Sequence, residues 1–167
     1  MIARLVFAVM ALLTIGASRA DARGDIVPFN NGYPRGSIVV VTHERQLYYV
    51  TGNGSAIRYP VGVGKAGMAW HGHAFVVKKL LRPSWGPPED IWRANPNLPA
   101  VIPGGSPRNP MGEAVLGLDR GNYAIHGTNN PASIGHFVSH GCIRMYNQDI
   151  VDLYGRVQVG TTVYVLQ

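Results

Sequence analysis

The residues with the clearest chemical potential lie together in residues 125–145, IHGTNNPASIGHFVSHGCIRM. This segment contains the single cysteine of the 167-residue chain, Cys142, and three of the six histidines, His126, His136 and His140. A cysteine nucleophile needs a base within hydrogen-bond reach, an acceptor that orients the base, and donors that face the developing oxyanion. The residue types of this segment meet those needs and predict a cysteine acyltransferase.

Cys142 is the predicted nucleophile and His126 its base. His126 ends a predicted strand, and the 16 positions from it to Cys142 allow the chain to fold back and bring the imidazole beside the sulfur. The carbonyl of Gly127 can accept the other ring N–H and fix the tautomer. Because an imidazolium stabilises a thiolate, we expect the pKa of Cys142 to lie below its ordinary value of ~8.5.

The three residues before the cysteine form a predicted oxyanion and orienting group, namely Ser139, His140 and Gly141. Gly141 has no Cβ, so the backbone amides of Gly141 and Cys142 can turn toward a substrate carbonyl. A zinc site is the alternative, with the thiol and the three histidines as ligands. The segment lacks the His-x-x-x-His and Cys-x-x-Cys spacings typical of zinc sites, so we predict no metal and no cofactor.

The first residues are typical of an exported protein. Arg4 precedes an apolar stretch over residues 5–15, and small residues follow it. This pattern predicts a signal peptide over residues 1–20, with cleavage after Ala20 or Ala22. The stretch is shorter than the ~20 residues that span a bilayer, so we expect no stable membrane insertion after cleavage and a location in the periplasm or cell wall.

Charge and cysteine content narrow the choice of partners. The formal net charge is +6, but the basic residues are scattered rather than clustered, which favours an anionic envelope polymer over nucleic acid.

Exported domains of this size usually pair their cysteines in disulfides, whereas Cys142 has no partner. An inert, buried thiol is the alternative to a reactive one.

The rest of the chain predicts a mainly β domain. β-branched and aromatic runs predict six strands, over residues 37–42, 46–50, 56–64, 73–81, 123–126 and 162–166. Residues 43–45 form a predicted hairpin loop between the first and second of these strands. One helix is predicted over residues 147–155, with Asn147 as its cap and Gly155 as its end. Many short strands with one or two helices indicate a β-sandwich or barrel-like architecture.

A proline-rich insert interrupts this pattern. Eight of the twelve prolines lie between Arg82 and Gly112. A short helix is predicted at residues 88–94, with Pro88 in the first helical position. Trp85 and Trp92 favour ordered packing, and so long an irregular segment in a compact domain is typically a lid or binding loop, with disorder as the alternative.

Three parts of the 125–145 segment resemble the L,D-transpeptidases of the YkuD type, whose signature is a histidine, a loop and Ser/Thr-His-Gly-Cys. They are residues 126–128, 133–135 and 139–145, and the resemblance extends over residues 37–166. The position after Met145 departs mildly from the family pattern. The resemblance implies a β-sandwich catalytic domain with one or two short helices and a proline-rich insert.

The resemblance also implies a function. Cys142 would attack the third residue of a peptidoglycan stem peptide, expel the terminal D-alanine and form a thioester, and carbapenems would acylate the same sulfur. An amine of another stem, or a lysine of an envelope protein, would resolve the thioester. Arg144 would orient the site or hold a substrate carboxylate, with a salt bridge as the alternative. An L,D-carboxypeptidase and a non-catalytic peptidoglycan-binding module remain the other functions to consider.

Overall fold

The structure is a computed structural model that describes residues 24–167, apart from the side chain of Asp90. The predicted signal peptide over residues 1–20, with cleavage after Ala20 or Ala22, lies outside the described residues. Within residues 24–167, no helix has both the length and the apolar character needed to cross a membrane.

Strands dominate the described part of the chain. They are β1 (Asp25–Pro28), β2 (Ile38–Val41), β3 (Gln46–Gly52), β4 (Ser55–Pro60), β5 (Val63–Gly64), β6 (Gly72–Leu81), β7 (Ala114–Leu118), β8 (Ala124–His126), β9 (Phe137–Ser139), β10 (Ile143–Arg144) and β11 (Thr162–Leu166). Nine of them form one sheet in the order β1-β4-β3-β2-β11-β6-β7-β8-β10, and β5 pairs with β9. The helices are α1 (Glu89–Ala94), α2 (Asn147–Arg156) and the 3-10 helix Pro131–Ser133.

The long strand β6 joins the two halves of the large sheet. A bulge between Val76 and Lys78 interrupts its pairing with β7, and bulges of this kind bend a sheet. Side chains from both halves meet in one core, for example Ile38 and Leu47 of the first half with Leu116 of the second. The two halves therefore pack against each other across that core, and the predicted mainly β, sandwich-type fold is confirmed.

Alternation along the strands decides which side chains enter this core. In β2, Ile38 and Val40 lie in the main cluster, whereas Val39 lies in a second cluster with Phe29, on the opposite face of the sheet. Successive side chains of a strand point to opposite faces, so a sheet covered on both sides places apolar residues at every position. Strand β2 is apolar at all four positions, as expected for a strand that is covered on both faces.

Most predicted strands match the observed ones, including the β2–β3 hairpin. The run over residues 56–64 is two strands rather than one, because the chain turns from β4 at Val61 and Gly62 pairs with Arg144 instead. Strands β1, β7, β9 and β10 were not predicted. β9 and β10 have three and two residues, too few to show a period, and β7 is buried at all five positions and so lacks alternation.

Helix α2 corrects two predictions about its ends. Tyr146, not Asn147, occupies the N-cap position, with no side-chain cap hydrogen bond, and Gly155 lies inside the helix, which continues to Arg156. The Asn147 side chain instead forms hydrogen bonds with the backbone of Glu113 and Thr128. Ile150 and Leu153 on the inner face of α2 are fully buried in the main core, which fixes the helix against the sheet.

The proline-rich insert is ordered. The predicted helix forms as α1, with Pro88 preceding it at the N-cap rather than in its first turn. Trp85 and Ile102 exchange two backbone hydrogen bonds of 2.8 and 2.7 Å, and these tie the two arms of the insert together. Trp92 is 48% exposed, and its Nε1 donates to the Leu98 carbonyl at 3.1 Å, so this tryptophan closes a local turn rather than filling a core.

Two substitutions on α2 test how the core holds this helix. Leu153→Ala should lower the free energy of unfolding by about 2–5 kcal/mol, because Leu153 is fully buried in the main cluster. Val151→Ala, at a position 47% exposed on the same helix, should change it by no more than about 0.5 kcal/mol. Urea denaturation followed by circular dichroism measures both, and equal losses would contradict the packing described.

Candidate active site

Parallel pairing of β8 with β10 brings His126 and Cys142 together. In this ladder Ile143 is opposite Ile125 and Arg144 is opposite His126. Ile125 and Ile143 both point into the main core. The alternating residues of the two strands therefore share the other face of the sheet, and these are Ala124, His126, Cys142 and Arg144. Cys142 directly precedes β10 and is therefore on the same face as His126, two positions from it along the ladder.

His126 is 3% exposed, and its ring is held by the backbone. Nδ1 lies 2.6 Å from the Gly127 carbonyl oxygen, which can only accept, so Nδ1 carries the proton and Nε2 of the neutral ring is free to act as a base. Burial lowers the pKa of His126 to about 4 despite this hydrogen bond. The imidazole is therefore neutral at pH 7.

The Cys142 thiol is half-buried and lies near the Asn122 carbonyl oxygen, 3.7 Å from Sγ. Burial raises the pKa of the thiol, and a hydrogen bond from the Ala124 backbone and the charge of Arg144 oppose this rise without cancelling it. The expected depression of the pKa by an imidazolium is therefore wrong for the resting site. Thiol and imidazole are both neutral, so the thiolate has to form by proton transfer during the reaction.

Ser139 folds the Ser-His-Gly-Cys turn. Its Oγ donates to the Cys142 carbonyl at 2.5 Å and accepts from the Gly141 N–H at 3.1 Å. This second bond corrects one expectation, because the Gly141 amide is occupied and does not face an open substrate position. Gly141 is required for another reason. Its φ is +116°, and a Cβ there would lie 2.5 Å from the ring of Tyr123.

Trp70 supports the same turn, although no feature of its local sequence marks it as a residue of the site. Its Nε1 donates to the Gly141 carbonyl at 2.9 Å, and its ring stacks on Tyr123 with centroids 5.8 Å apart. The Arg120 guanidinium lies 4.7 Å from the Trp70 ring centroid. Trp70 lies 71 positions before Gly141, so no local pattern could have linked the two residues.

His140 and Arg144 have different surroundings. The His140 imidazole is exposed, and its Nε2 lies 3.4 Å from Lys65 Nζ. Arg144 is half-buried and acts electrostatically on both Cys142 and His126. Among the described acidic residues, none forms a salt bridge with Arg144, so the salt-bridge alternative for this residue has no support in the described structure.

Comparison with known proteins agrees with this geometry. The family model of the L,D-transpeptidase catalytic domain, YkuD, matches residues 35–165. The chain belongs to the L,D-transpeptidase catalytic domain family. It is 42% identical over 135 residues to the probable L,D-transpeptidase YbiS of Escherichia coli K12, covering 75% of this chain and 43% of that protein. It is 39% identical over 139 residues to the probable L,D-transpeptidase ErfK/SrfK of the same organism, covering 79% and 44%.

Solved structures agree on the fold of this L,D-transpeptidase domain. The catalytic domain of an Enterococcus faecium L,D-transpeptidase, acylated by ertapenem, aligns with a TM-score of 0.59 at 22% identity, over 80% of this chain and 99% of that one. L,D-transpeptidase 3 of Mycobacterium tuberculosis aligns with a TM-score of 0.57 at 15% identity, over 78% and 60%. The chain spans less than half the length of the two curated relatives named above.

In this L,D-transpeptidase domain the end of the insert reaches the site through Asn147. The Asn147 Oδ1 accepts from the amides of Glu113 at 3.2 Å and Thr128 at 3.1 Å, and its Nδ2 donates to the Thr128 carbonyl at 3.0 Å. Asn147 thus joins the end of the insert to the segment after Gly127. A cavity of about 430 Å³ lies between the insert and residues 128–131, with Asn147 in its wall.

The described residues contain no group of three or more His, Cys, Asp and Glu side chains placed to hold a metal ion. Of the ligands considered for zinc, the Cys142 thiol and the His126 imidazole have the backbone partners described above, and the His140 imidazole lies beside Lys65.

Alkylation of Cys142 tests the protonation state of the resting site. Because burial raises the pKa of the thiol, iodoacetamide should react slowly at pH 7, with a midpoint above ~8.5. His126→Ala should leave this midpoint unchanged, since a ring with a pKa of about 4 carries no charge in that range. A midpoint below ~7 that rises in the His126→Ala variant would instead indicate a thiolate–imidazolium pair.

Proposed function

We propose that this protein is an exported, cysteine-dependent L,D-transpeptidase that acts on peptidoglycan stem peptides. The observation that carries the proposal is the shared sheet face of Cys142 and His126, with the ring proton of His126 held on Nδ1 by the Gly127 carbonyl. A nucleophile beside an oriented, unprotonated base is the arrangement that acyl transfer requires. Family membership supports the same reaction.

The first half-reaction forms a thioester. His126 Nε2 takes the proton of the Cys142 thiol as the sulfur attacks the carbonyl carbon of the third stem residue. The tetrahedral intermediate then collapses and breaks the amide bond to the terminal D-alanine. The leaving amine takes the proton from the imidazolium, so His126 returns to its neutral form and the acyl group stays on sulfur.

The second half-reaction transfers the acyl group to an amine. A neutral acceptor amine attacks the thioester carbonyl, and His126 receives the proton that the new amide releases. Collapse expels the Cys142 sulfur, which recovers its proton from the imidazolium. The acceptor is a neighbouring stem peptide or a lysine of an envelope protein, and water in its place would give an L,D-carboxypeptidase.

Two further groups are proposed to bind negatively charged oxygens of the reacting substrate. With the Gly141 amide engaged by Ser139, the Cys142 amide is the proposed oxyanion donor of this turn. Arg144 is the proposed binding group for a substrate carboxylate, since it is half-buried beside the nucleophile and has no acidic partner among the described residues. Ser139 and Trp70 hold the turn, and the exposed imidazole of His140 has no assigned proton-transfer step.

The insert favours an amine over water in this proposal. Its end packs against Gly127, where a Cβ would lie 3.1 Å from Gly112 Cα, and it borders the 430 Å³ cavity beside residues 128–131. Excluding water protects an acyl-enzyme, and a positioned acceptor has an effective molarity on the order of 10⁵ M or more against ~55 M water. The predicted signal peptide over residues 1–20 supports action in the periplasm or cell wall.

Turnover tests the proposed function directly. The protein is incubated with a disaccharide tetrapeptide and an excess of a non-native D-amino acid, and the products are followed by mass spectrometry. Dimers and exchanged peptides are expected, and tripeptide as the sole product would make the protein a carboxypeptidase. Cys142→Ala should abolish both products with an unchanged circular dichroism spectrum, and His126→Ala should slow them by about 10²–10⁴-fold.

Covalent labelling gives a second test that needs no turnover. A carbapenem should add to Cys142, since its strained amide is an acyl donor for the same sulfur, and intact-mass spectra should show one adduct. Cys142→Ala should show none. Absence of the adduct in a folded protein that still alkylates with iodoacetamide would count against an acyl-transfer site.

A further inference from the structure

Lys65 is an exposed lysine at the edge of the active site that the reaction described above does not use. Its backbone N–H donates to the Ser139 carbonyl at 3.0 Å, and its Nζ lies 3.4 Å from His140 Nε2. Both contacts join Lys65 to the Ser-His-Gly-Cys turn that ends at Cys142. The ammonium is therefore placed beside the turn that carries the nucleophile, by a backbone bond as well as by its side chain.

A tight turn after Lys65 fixes its backbone. The Met68 N–H donates to the Lys65 carbonyl at 2.8 Å, and Gly67 within this turn has a φ of +76°. The chain also packs closely on itself here, since a Cβ on Gly64 would lie 2.8 Å from the Met68 carbonyl oxygen. All these contacts are made by the backbone, so a substitution of the Lys65 side chain leaves them in place.

Two arginines lie along the same segment, residues 61–65. Gly62 forms an antiparallel bridge with Arg144. The Arg45 guanidinium lies 5.2 Å from the ring centroid of Phe137, a residue of the strand β9 that pairs with β5. Three cationic side chains, those of residues 45, 65 and 144, therefore flank one short segment beside the nucleophile.

None of these three cationic side chains forms a salt bridge with an acidic side chain that the structure describes. The acidic residue nearest to Arg45 along the chain, Glu44, accepts from the Tyr48 hydroxyl at 2.8 Å. Arginines elsewhere in the fold do have carboxylate partners. This edge of the site thus keeps a positive charge that attracts anionic groups.

The Lys65–His140 pair offers hydrogen-bond donors. A lysine ammonium can only donate, so His140 Nε2 accepts from it and the proton of the neutral ring lies on Nδ1. The pair then presents the two remaining N–H groups of the ammonium and the Nδ1 N–H of the ring. An ionised carboxylate only accepts and carries the opposite charge, so it matches this pair, whereas an ammonium group would be repelled.

We propose that Lys65 is a specificity-determining residue whose ammonium, held beside His140, binds a carboxylate next to Cys142. This subsite is separate from Arg144, which lies on the other side of Cys142 along the chain. The assignment of the carboxylate to a substrate peptide rests on the proposed function, whereas the carboxylate subsite itself does not. Two substrates can supply the group, namely the donor stem peptide and the amine acceptor.

The single cysteine permits a test that needs no turnover. Iodoacetate and iodoacetamide alkylate a thiol by the same reaction, but only iodoacetate carries a carboxylate. The ratio of their rates at Cys142 measures the attraction of a carboxylate, and iodoacetamide corrects each variant for changes in thiol reactivity. Lys65→Gln should lower this ratio by about 1.5- to 5-fold, the range for loss of one exposed ionic contact. Lys65→Arg keeps the charge and should keep most of the ratio.

Arg35→Gln is the matched control. Arg35 is exposed and lies before the first residue of β2, whereas Arg45 follows the last residue of that strand. This variant removes one positive charge away from the proposed subsite, so its ratio should equal that of the unchanged protein. Circular dichroism checks the fold of each variant. Equal losses in Arg35→Gln and Lys65→Gln would assign the effect to net charge and overturn the proposal, as would an unchanged ratio in Lys65→Gln.

Turnover identifies the substrate that supplies the carboxylate. The exchange assay is run with a D-amino acid or its C-terminal amide as acceptor. If the acceptor supplies the group, Lys65→Gln should raise the KM of the D-amino acid by about 1.5- to 5-fold and leave that of the amide unchanged. If the donor supplies it, the KM of the tetrapeptide should rise instead.

Unchanged KM values for both substrates would overturn the assignment of the carboxylate to a substrate. If the unchanged protein catalyses no exchange, the proposed function fails, while the alkylation ratio still decides whether Lys65 binds a carboxylate.

Discussion

The parallel pairing of β8 with β10 is the contact on which the site depends. Only two residue pairs define this ladder, and the Met145 N–H extends it with a 2.8 Å hydrogen bond to the His126 carbonyl. Side chains alternate along a strand, so a slip of one residue would turn Cys142 into the core and Ile143 out of it. Burial of Ile125 and Ile143 makes that slip costly, and the hydrophobic core thereby fixes the positions of nucleophile and base.

Burial also decides how the pair can work. It lowers the pKa of His126 and raises that of Cys142, so both groups are neutral at rest. A neutral thiol is less readily oxidised than a thiolate, which matters for a cysteine that has no disulfide partner. The cost is that proton transfer has to accompany attack, which makes the position of the Nε2 lone pair decisive. The Gly127 carbonyl accepts the Nδ1 proton and so holds the ring in place.

Much of the fold and of the chemistry was readable from local sequence. The β2–β3 hairpin, β11 and most of β6 follow from their β-branched and aromatic runs, because periodicity and turn residues act over a few positions. The hypothesis that Cys142 and His126 act together came from their residue types and spacing, and the β8–β10 register places both on one face of the sheet. The need for glycine at position 141 was also predicted, although its amide is bound to Ser139 rather than free.

Tertiary structure decided what local sequence could not. Asn147 has the residue type of a helix cap, yet its side chain joins Glu113 to Thr128, because partners from distant segments compete with the helix end. Trp70 donates a hydrogen bond to Gly141, which lies 71 positions later in the chain. The Asn109 amide in the insert donates to the Pro83 and Pro103 carbonyls, which only the folded insert brings together. The sequence by itself determined the strand pattern and the reactive residue types, because both are local. The protonation states and the supporting residues were decided by burial and long-range hydrogen bonds, which exist only once the chain has folded.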